Sequence, residues 1–440
     1  MIDYTREETY AATRRPVDLA ETLTPDAYRS EAFFAVERER VFATSWVAVG
    51  CVAELREPGD VLPAEVAGRS LFVVRNRAGE LRAFYNVCRH RGTRLLAEGE
   101  RRVKRFIRCP YHSWAYDLDG ACIGTPLFEG SDIPPDQREV FDMDGARAFD
   151  RADYGLLPVA VESWGPLVFV NLDGESGPLS EQLGDLPART AGYRLDEWEV
   201  ARVAEYDVAA NYKLAGENFM EYYHLPWVHP GLVKVSPIGA HHRWQGPGMY
   251  TGMCTSPIAA DTEDGGWQSG VPAIEGLRES DATSARFLWL FPNVALNVLP
   301  NHLFVILAEP LAPGATRERT YLLTHPETAA TEDGIDELAR FWDTVNREDI
   351  EIIERVQLGL ETTPFPGGRL CYRFEEPLNR FHNMVADRMV GRRRIPPGDK
   401  AEEIPMFGVP TGRARHPPKT PAQTGIPDTP GGAISKGWAC

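Results

Sequence analysis

The spacing of apolar residues changes along the chain and separates an N-terminal arm from a β-rich segment. Residues 1–29 show no clear period, whereas Ser30 fits a helix N-cap and the next segment, EAFFAVERERVF, has the apolar spacing of an amphipathic helix. From Trp46 to about Val170 the pattern is one of short β-rich runs separated by turn residues. We therefore expect an arm with one helix, followed by a small all-β domain.

A second pattern follows an acidic connector at 173–194, where strand-like runs alternate with a helix candidate, KLAGENFMEYYH, and a long helix over about 335–360. From Arg392 the chain becomes Arg-rich and then Pro- and Gly-rich, which predicts an extended tail because Pro joins neither ladders nor helix interiors. The fold class is α+β. The predicted domains are an arm and helix packed on the second domain (1–44), an all-β domain (45–165), an α+β domain (166–390) and a tail (391–440).

Composition limits the functional classes. The 440 residues carry a net charge of −17, so a phosphate backbone would repel the chain and we expect no nucleic-acid partner. There is no run of 18 apolar residues to span a membrane, and the polar start MIDYTREETY lacks a signal-peptide core, which predicts a cytoplasmic protein. Seven cysteines are too few for a disulfide scaffold, so Cys and His close together indicate metal ligands.

Two short motifs in the β-rich segment pair Cys with His. Cys88-x-His90 is followed, after 18 intervening residues, by Cys109-x-x-His112. Such a set could hold zinc, or a [2Fe–2S] cluster of the Rieske type with Cys on one iron and His on the other. A zinc finger of this kind would carry its His pair on a helix, whereas here each motif follows a β run, so the pattern favours the cluster.

A His pair in the second domain indicates a different metal. His224 and His229 are five residues apart, and Pro226 should end the helix so that His229 enters from the following turn. Two His with one carboxylate and open positions form the ligand set of non-haem Fe(II) oxygenases. Taken alone, the two could equally be hydrogen-bonded core histidines.

The long helix supplies a candidate carboxylate. At about 100° per residue Asp349 falls at the centre of its apolar stripe, with Glu348 towards the edge. A carboxylate on a buried face is costly unless a metal or a partner neutralises it, so Asp349 is the predicted third ligand, with a capped or salt-bridged acid as the alternative. The stripe consists of Leu338, Trp342, Val345, Ile352, Ile353, Val356 and Leu360.

These motifs resemble a known family. C-R-H-R-G and C-P-Y-H-S-W-x-Y-D-x-D-G resemble the Rieske domain of ring-hydroxylating and N-demethylating oxygenases; Thr93 and Tyr111 stand where respiratory Rieske proteins have further cysteines. ENFMEYYHLPWVHP and REDIEIIERVQLGL resemble the mononuclear-iron motif and the carboxylate helix of the catalytic α subunits, over about residues 30–390. The resemblance implies a helix-grip (START-like) catalytic domain in a homotrimer. It also implies a [2Fe–2S] cluster bound by Cys88, His90, Cys109 and His112. The Fe(II) ligands that it implies are His224, His229 and Asp349.

Glu221 receives a role from the same resemblance. It lies three residues before His224, and at helical spacing the two side chains share one face. In the family, an acid at this place links a cluster His of one protomer to an iron His of its neighbour, so Glu221 is expected to be catalytic. The alternative is an ordinary helix-surface pair.

The chain has no GxGxxG after a strand and no plant-type ferredoxin motif. Electrons are therefore expected from a separate NAD(P)H-dependent flavin/ferredoxin reductase, with O₂ and a small molecule as substrates. Cations flanking the cluster motifs would steer an acidic ferredoxin-type partner, or else form a solvated edge with intersubunit salt bridges. These cations are Arg89, Arg91, Arg94, Arg101, Arg102, Lys104, Arg105 and Arg108.

Three functions remain open. The first is monooxygenation or N-demethylation of a quaternary ammonium or N-methyl compound, because C-R-H-R-G-T-R and Glu221 resemble the glycine betaine, carnitine and choline branch; Tyr222 departs from that branch, which often has Cys there. The alternatives are an aromatic-ring hydroxylating (di)oxygenase and a non-catalytic Rieske electron-transfer protein.

The shape of the site should separate the first two functions. An apolar slot over the iron would favour an aromatic ring, and an aromatic box with one anion-pairing Arg or Lys would favour a betaine. Aromatic residues that could form such a box, although they are also typical of a core, are Tyr250, Phe287, Trp289, Phe291 and Phe304.

Overall fold

The computed structural model describes residues 2–127, 149–256, 258, 270–362, 364–399 and 404–405. The strands are β1 (Val47–Cys51), β2 (Val61–Val66), β3 (Arg69–Arg75), β4 (Leu81–Tyr85), β5 (Ile107–Arg108), β6 (Ala115–Tyr116), β7 (Cys122–Gly124), β8 (Pro158–Trp164), β9 (Leu167–Asn171), β10 (Glu199–Val208), β11 (His241–Arg243), β12 (Tyr250–Thr255), β13 (Ala285–Leu290), β14 (Val294–Val298), β15 (Leu303–Ala312), β16 (Ala315–Thr324) and β17 (Ile404–Pro405).

The α-helices are α1 (Asp26–Arg29), α2 (Glu31–Glu37), α3 (Leu179–Leu183), α4 (Leu186–Thr190), α5 (Tyr212–Met220), α6 (Leu225–Val228), α7 (Leu232–Val235), α8 (Glu279–Ala282), α9 (Glu332–Leu360) and α10 (Glu376–Met389). No helix within the described ranges is long and apolar enough to cross a membrane.

The β-rich segment forms a six-stranded antiparallel sheet, ordered β1-β9-β8-β4-β3-β2, beside a small sheet β5-β6-β7. Phe72 and Phe84 pack in a separate hydrophobic cluster with Cys88 and Cys109, so the predicted cluster ligands lie at the edge of their own core. Strand β9 pairs with both β1 and β8, and the sheet therefore extends past residue 165, where the sequence placed the domain end.

The second sheet has eight antiparallel strands, ordered β10-β16-β15-β14-β13-β12-β11-β17, and the long helix α9 packs against it. Thr331 caps α9, because its side chain accepts a hydrogen bond from the backbone N–H of Gly334. The predicted α+β architecture, an all-β domain followed by a mixed helix and sheet domain, is confirmed.

One residue of the predicted apolar stripe on α9 is misplaced. Val356 is 43 % exposed, whereas the next residue, Gln357, is buried. The Gln357 side chain donates to the carbonyl of Tyr28 (3.2 Å) and accepts from the backbone N–H of Asn211 (3.1 Å). These two hydrogen bonds satisfy the amide inside the protein and hold this face of the helix inward, leaving Val356 outside.

The N-terminal arm is joined to the second sheet region by a buried ion pair. Ser30 caps α2 as predicted, accepting from the Phe33 N–H at 3.3 Å, and a π-helical turn, Arg38–Phe42, follows. Both carboxylate oxygens of Glu37 accept from Lys213 Nζ, at 2.8 and 3.0 Å, and both side chains are fully buried. The start of α5 is thus tied to the arm.

The described part of the predicted tail lies against the rest of the chain. Arg393 pairs with Asp173 at 2.7 Å, and Asp399 accepts two hydrogen bonds from Arg243 at 2.9 Å. Strand β17 then pairs with β11. Residues 400–403 and 406–440, the rest of the predicted tail, lie outside the described residues.

Candidate metal centres and the cavity beside them

The first Cys–His motif forms a tight loop just after β4. The Cys88 N–H donates to the carbonyl of Thr93 (2.8 Å), and the Gly92 N–H donates back to the Cys88 carbonyl (3.0 Å). Gly92 has φ +77°, a left-handed conformation that glycine adopts without steric cost. The main chain itself therefore fixes the direction of the Cys88 side chain.

The second motif repeats this geometry after β5. The Cys109 N–H donates to the carbonyl of Trp114 (2.7 Å), the Ser113 N–H donates to the Cys109 carbonyl (3.1 Å), and Ser113 has φ +58°. The two loops are equivalent in main-chain pattern even though the His is the third residue of one motif and the fourth of the other. Sequence spacing indicated the candidate ligands but not this equivalence of the two loops.

In both loops the cysteine side chain is buried and the histidine side chain lies nearer the surface. Cys88 and Cys109 are both buried and their thiols lie within hydrogen-bonding contact of each other. The rings of His90 and His112 are 4.8 Å apart between centroids, and His90 stacks on Trp114 at 4.9 Å. Thiols inside and imidazoles outside fit a binuclear cluster with Cys on the inner iron and His on the outer one.

Main-chain donors also favour the thiolate of Cys109. Burial, the largest influence, raises the pKa of this thiol, but the backbone N–H groups of Tyr111 and His112, with the side chains of Cys88 and Thr93, outweigh it and lower the pKa below its usual value. Because iron binds the thiolate, the loop is suited to a cluster before any metal is considered.

The second centre gathers the three predicted donors. One ligand atom each from His224, His229 and Asp349 lies within 4.8 Å of the others. Asp349 Oδ1 is 2.8 Å from His229 Nε2 and 3.6 Å from His224 Nε2. Both imidazoles therefore turn the same nitrogen towards one carboxylate, and this donor set fits Fe(II).

Carboxylates hold the other nitrogens of both rings. Glu221 Oε1 is 2.6 Å from His224 Nδ1, and Glu348 Oε2 is 2.6 Å from His229 Nδ1. Such contacts orient ligating imidazoles and fix their tautomer. Glu348, which the stripe argument placed towards the edge of the helix face, thus contacts the other side of His229, and no sequence pattern indicated this contact.

The prediction that Glu221 and His224 share a helix is wrong. Helix α5 ends at Met220, and Glu221 is extended, with φ −119° and ψ 167°. The other oxygen of Glu221 accepts from the backbone N–H groups of Tyr223 and of His224, which turns the chain there. Pro226, predicted to end the helix, instead lies in the first turn of α6, where a missing N–H does no harm.

Electrostatics indicate that the second centre suits a cation. Burial, the largest influence, lowers the pKa of both imidazoles, but Glu221 and Asp349 raise that of His224 above its usual value, and Asp349 and Glu348 do the same for His229. Three carboxylates surround two imidazoles, so a divalent ion between the donors would offset an excess of negative charge.

A cavity of about 530 Å³, partly open to solvent, lies against this centre. No Arg or Lys is found among its described lining residues. Polar lining comes from Asn218, Ser236, His241, Asn297 and Asn346, besides the metal donors and Glu221. Its apolar lining consists of Phe219, Leu225, Leu232, Met253, Phe287, Phe304, Ile306, Trp342 and Val345.

Only two of the five aromatic candidates, Phe287 and Phe304, line this cavity. Tyr250 instead donates its hydroxyl to Asp185, and Trp289 and Phe291 pack near Phe381 of α10, with ring centroids 6.1 and 6.2 Å away. These three candidates therefore belong to the core, the alternative that the sequence left open, because α10 packs on that part of the sheet. Trp342, which the sequence assigned to the core stripe, completes the aromatic wall.

Sequence analysis also did not identify Glu318, a buried acidic residue that contacts Asn346 of the cavity lining. Glu318, 3 % exposed on β16, accepts from Asn346 Nδ2 at 3.0 Å. Burial raises the pKa of this carboxyl to about 7, helped by the charge of Asp349 and opposed by the Asn346 hydrogen bond. An isolated acidic residue in a strand with alternating polarity carries no sequence signal for such a position.

The cations that flank the cluster loops remain largely unpaired within the described residues. Of the eight, Arg102 forms an ion pair, with Asp60 at 3.1 Å. Arg91 lies over the ring of Tyr111, which is 59 % exposed. The loops thus present positive charge and an aromatic surface around the half-buried His90 and the exposed His112.

Comparison with known proteins assigns both halves of the chain. Residues 45–135 match the Rieske [2Fe-2S] domain, and residues 195–391 match the ring hydroxylating alpha subunit (catalytic domain). The prediction of a Rieske cluster rather than zinc is confirmed, as is the prediction of a mononuclear iron in the second domain.

Characterised relatives align over most of the chain. The Escherichia coli K12 carnitine monooxygenase oxygenase subunit is 29 % identical over 381 residues, 83 % of this chain and 93 % of that protein. The glycine betaine monooxygenase oxygenase subunit of Chromohalobacter salexigens is 28 % identical over 404 residues, 83 % and 85 %. A solved quaternary ammonium Rieske monooxygenase, studied for carnitine oxidation and inter-subunit electron transfer, superposes with TM-score 0.71 at 26 % identity, covering 87 % of this chain and 98 % of that one.

Proposed function

Given that this chain belongs to the Rieske oxygenases as a catalytic α subunit, we propose that it monooxygenates, and so N-demethylates or cleaves, a small quaternary ammonium or N-methyl compound. The protein is an oxidoreductase with a [2Fe–2S] cluster and a mononuclear iron. We assign the cluster to Cys88, His90, Cys109 and His112, and the iron to His224, His229 and Asp349.

The iron, when bound, supplies the chemistry that activates O₂. The residues of this chain do the rest: Glu221 and Glu348 orient the two imidazoles through their Nδ1 atoms, and Asn218 donates a hydrogen bond to Asp349 Oδ1. These contacts hold the donors before the metal arrives, so little reorganisation is needed on binding.

The observation that carries the substrate class is the lining of the iron cavity. Phe287, Phe304 and Trp342 offer aromatic faces, which attract a quaternary ammonium by their negative π surface. The described lining residues include no Lys or Arg that would repel a cation, and the buried Glu318 lies just behind Asn346. The similarity to carnitine and glycine betaine monooxygenases supports the same class.

The lining also bears on the rest of the substrate. A betaine carboxylate would be expected to meet an Arg or Lys, and the described lining offers none. The geometry therefore favours a cation with an uncharged tail, such as a choline-like alcohol, over a betaine. The apolar lining from Met253, Ile306 and Val345 keeps an aromatic ring as the second candidate.

Electron transfer is proposed to run between subunits of a homotrimer. Glu221 contacts the iron-site His224, and beside it Tyr223 and Trp227 are 46 % and 73 % exposed. The cluster loop presents the exposed Tyr111 and His112. An exposed aromatic surface near each centre fits the docking of one copy's cluster loops beside Glu221 of the next.

The electron donor is proposed to be a separate NAD(P)H-dependent flavin/ferredoxin reductase. The cations near the cluster, most of which form no ion pair within the described residues, would attract an acidic partner and would make the association depend on salt. Since NAD(P)H is a cytoplasmic electron source, the proposal keeps the protein in the cytoplasm.

A matched pair of compounds tests the substrate class. With a surrogate reductase, choline should give substrate-dependent O₂ uptake with aldehyde formed in proportion, whereas 3,3-dimethylbutan-1-ol, which replaces the nitrogen by carbon, should bind at least about tenfold more weakly. Glycine betaine and carnitine measure the effect of a carboxylate. Equal turnover of the two isosteres, or coupled hydroxylation of naphthalene or benzoate with no turnover of any amine, would overturn the proposal.

A further inference from the structure

A second cavity lies on the other side of an aromatic wall, formed by Phe304 and Trp342, that lines the iron cavity. It holds about 770 Å³ of empty space, including its open mouth, between α9 and the sheet edge formed by β10 and β16. The sheet contributes Tyr206, Thr320 and Leu322, and the helix contributes Asp336, Ala339 and Asp343. Its outer strand, β10, is largely exposed, so this outer cavity communicates with solvent.

Strand register explains why the two cavities adjoin. Leu322 pairs with Phe304, which pairs with Asn297, which pairs with Phe287, so the four residues form one row across the sheet. Leu322 lines the outer cavity, and Asn297 and Phe287 line the iron cavity. Phe304, between them in the row, lines both.

The wall is completed from the helix side. Trp342 stacks on Phe304 with ring centroids 4.9 Å apart and planes 7° apart. One turn earlier, Ala339 lines the outer cavity and leaves space beside the indole because its side chain is a single methyl group. The stacked Phe304–Trp342 pair thus separates the outer cavity from the iron cavity, which also has an opening of its own to solvent.

We propose that the outer cavity is the entrance for the substrate and that the Phe304–Trp342 pair is the gate between it and the iron. This rests on the proposed function, since it names the path by which an alkylammonium substrate reaches that site. Rotation of the Phe304 ring into the space beside Ala339 joins the two cavities without moving a strand or the helix.

The lining of the outer cavity is polar at its mouth and carries charges of both signs. Asp336 pairs with Arg202 at 2.8 Å, and Asp343 accepts from Tyr206 at 2.7 Å and pairs with Arg347 at 2.9 Å. Arg340 is exposed at the mouth and has no ion pair among the described residues. A cation that enters here passes from carboxylates to the faces of Phe304 and Trp342.

The first test fills the entrance and leaves the iron cavity untouched. Ala339→Leu should lower kcat/KM at least tenfold, should leave kcat at saturation nearly unchanged, and should have more effect on larger alkylammonium compounds than on tetramethylammonium. Thr344→Leu, which adds bulk on the exposed face of the same helix, is the matched control and should change neither constant. Iron content and the cluster spectrum, measured in both variants, report folding.

The second test removes the gate. Phe304→Ala should speed substrate association in stopped-flow binding and should increase the O₂ consumed without product. Unchanged kcat/KM in a folded, iron-loaded Ala339→Leu variant would overturn the entrance, as would an unchanged association rate in Phe304→Ala. The test is independent of substrate class: if the wild-type enzyme turns over only an aromatic compound, the proposed function fails, and Ala339→Leu still decides whether that compound enters here.

Discussion

The two metal centres are built in opposite ways. The proposed cluster ligands lie within one stretch, residues 88–112, on two loops whose own main-chain hydrogen bonds set the side-chain directions. The proposed iron donors come from residues 224–229 and from Asp349, on a helix far away in sequence, and they meet only because α9 packs across the second sheet. The cluster site should therefore keep its metal when other parts of the fold are changed. The iron site should lose affinity for its metal when the packing of the segments that form it is changed.

The largest effect should come from removing a cluster ligand. Wild-type protein should contain about three iron atoms and two labile sulfides per chain, as one [2Fe–2S] cluster and one iron require. Cys88→Ala or His112→Ala should bleach the visible spectrum and abolish turnover, yet retain about one iron. Metal analysis with electron paramagnetic resonance checks this, and an active, colourless, zinc-loaded preparation would contradict it.

Removal of the Asp349 carboxylate should have the opposite effect, with loss of the mononuclear iron and retention of the cluster. Asp349→Ala should abolish turnover and mononuclear iron with the cluster spectrum intact, because the cluster loops do not depend on α9. Glu348→Ala, which loses only the contact to His229 Nδ1, should weaken iron binding by about 10- to 100-fold. If Glu348→Ala removes the iron and Asp349→Ala does not, the assignment of the two acids must be exchanged.

Electron transfer between the two centres should be lost in a variant that keeps both metals. Glu221→Gln should keep both metals and be reduced normally by the reductase, because neither ligand set contains it. Cluster reoxidation, followed by stopped-flow mixing of reduced protein with substrate and O₂, should slow by orders of magnitude. A wild-type reoxidation rate would mean that Glu221 only orients His224.

The iron site should also respond to a change in the arm. Lys213→Ala leaves Glu37 buried without its partner and should lower the free energy of unfolding by about 3–5 kcal/mol, as broken buried pairs do. Chemical denaturation measures this, and Lys213→Met combined with Glu37→Met serves as the control that removes both charges. We expect iron to be lost before the cluster spectrum; simultaneous loss would contradict the comparison.

The smallest effect compares the two cluster loops with each other. Gly92→Ala should cost about 1–2 kcal/mol, because φ +77° disfavours a side chain. Ser113→Gly, at the equivalent place with φ +58°, should be neutral or slightly stabilising. Thermal unfolding followed at the cluster absorbance checks both, and equal destabilisation by the two changes would mean that the loops are not equivalent.

Local features of the protein could be predicted from its residues alone. The cluster ligands, the Ser30 cap and the His224–His229 pair depend on neighbours within a few residues, where hydrogen bonding and spacing decide the conformation. Asp349 was found from helical periodicity, because a carboxylate on an apolar face needs a partner wherever that face packs.

Only the tertiary structure decided the rest. Helix α5 ends at Met220 because the Glu221 carboxylate captures the next backbone N–H groups, and Val356 faces outward because Gln357 is hydrogen-bonded inside. Whether Phe304 or Trp289 lines the iron cavity depends on strand register and on which helix covers each row. The Gln357 hydrogen bonds join residues 146 and 329 positions apart, and Trp289 meets Phe381 of another element, so periodicity along one segment carries no information about these contacts.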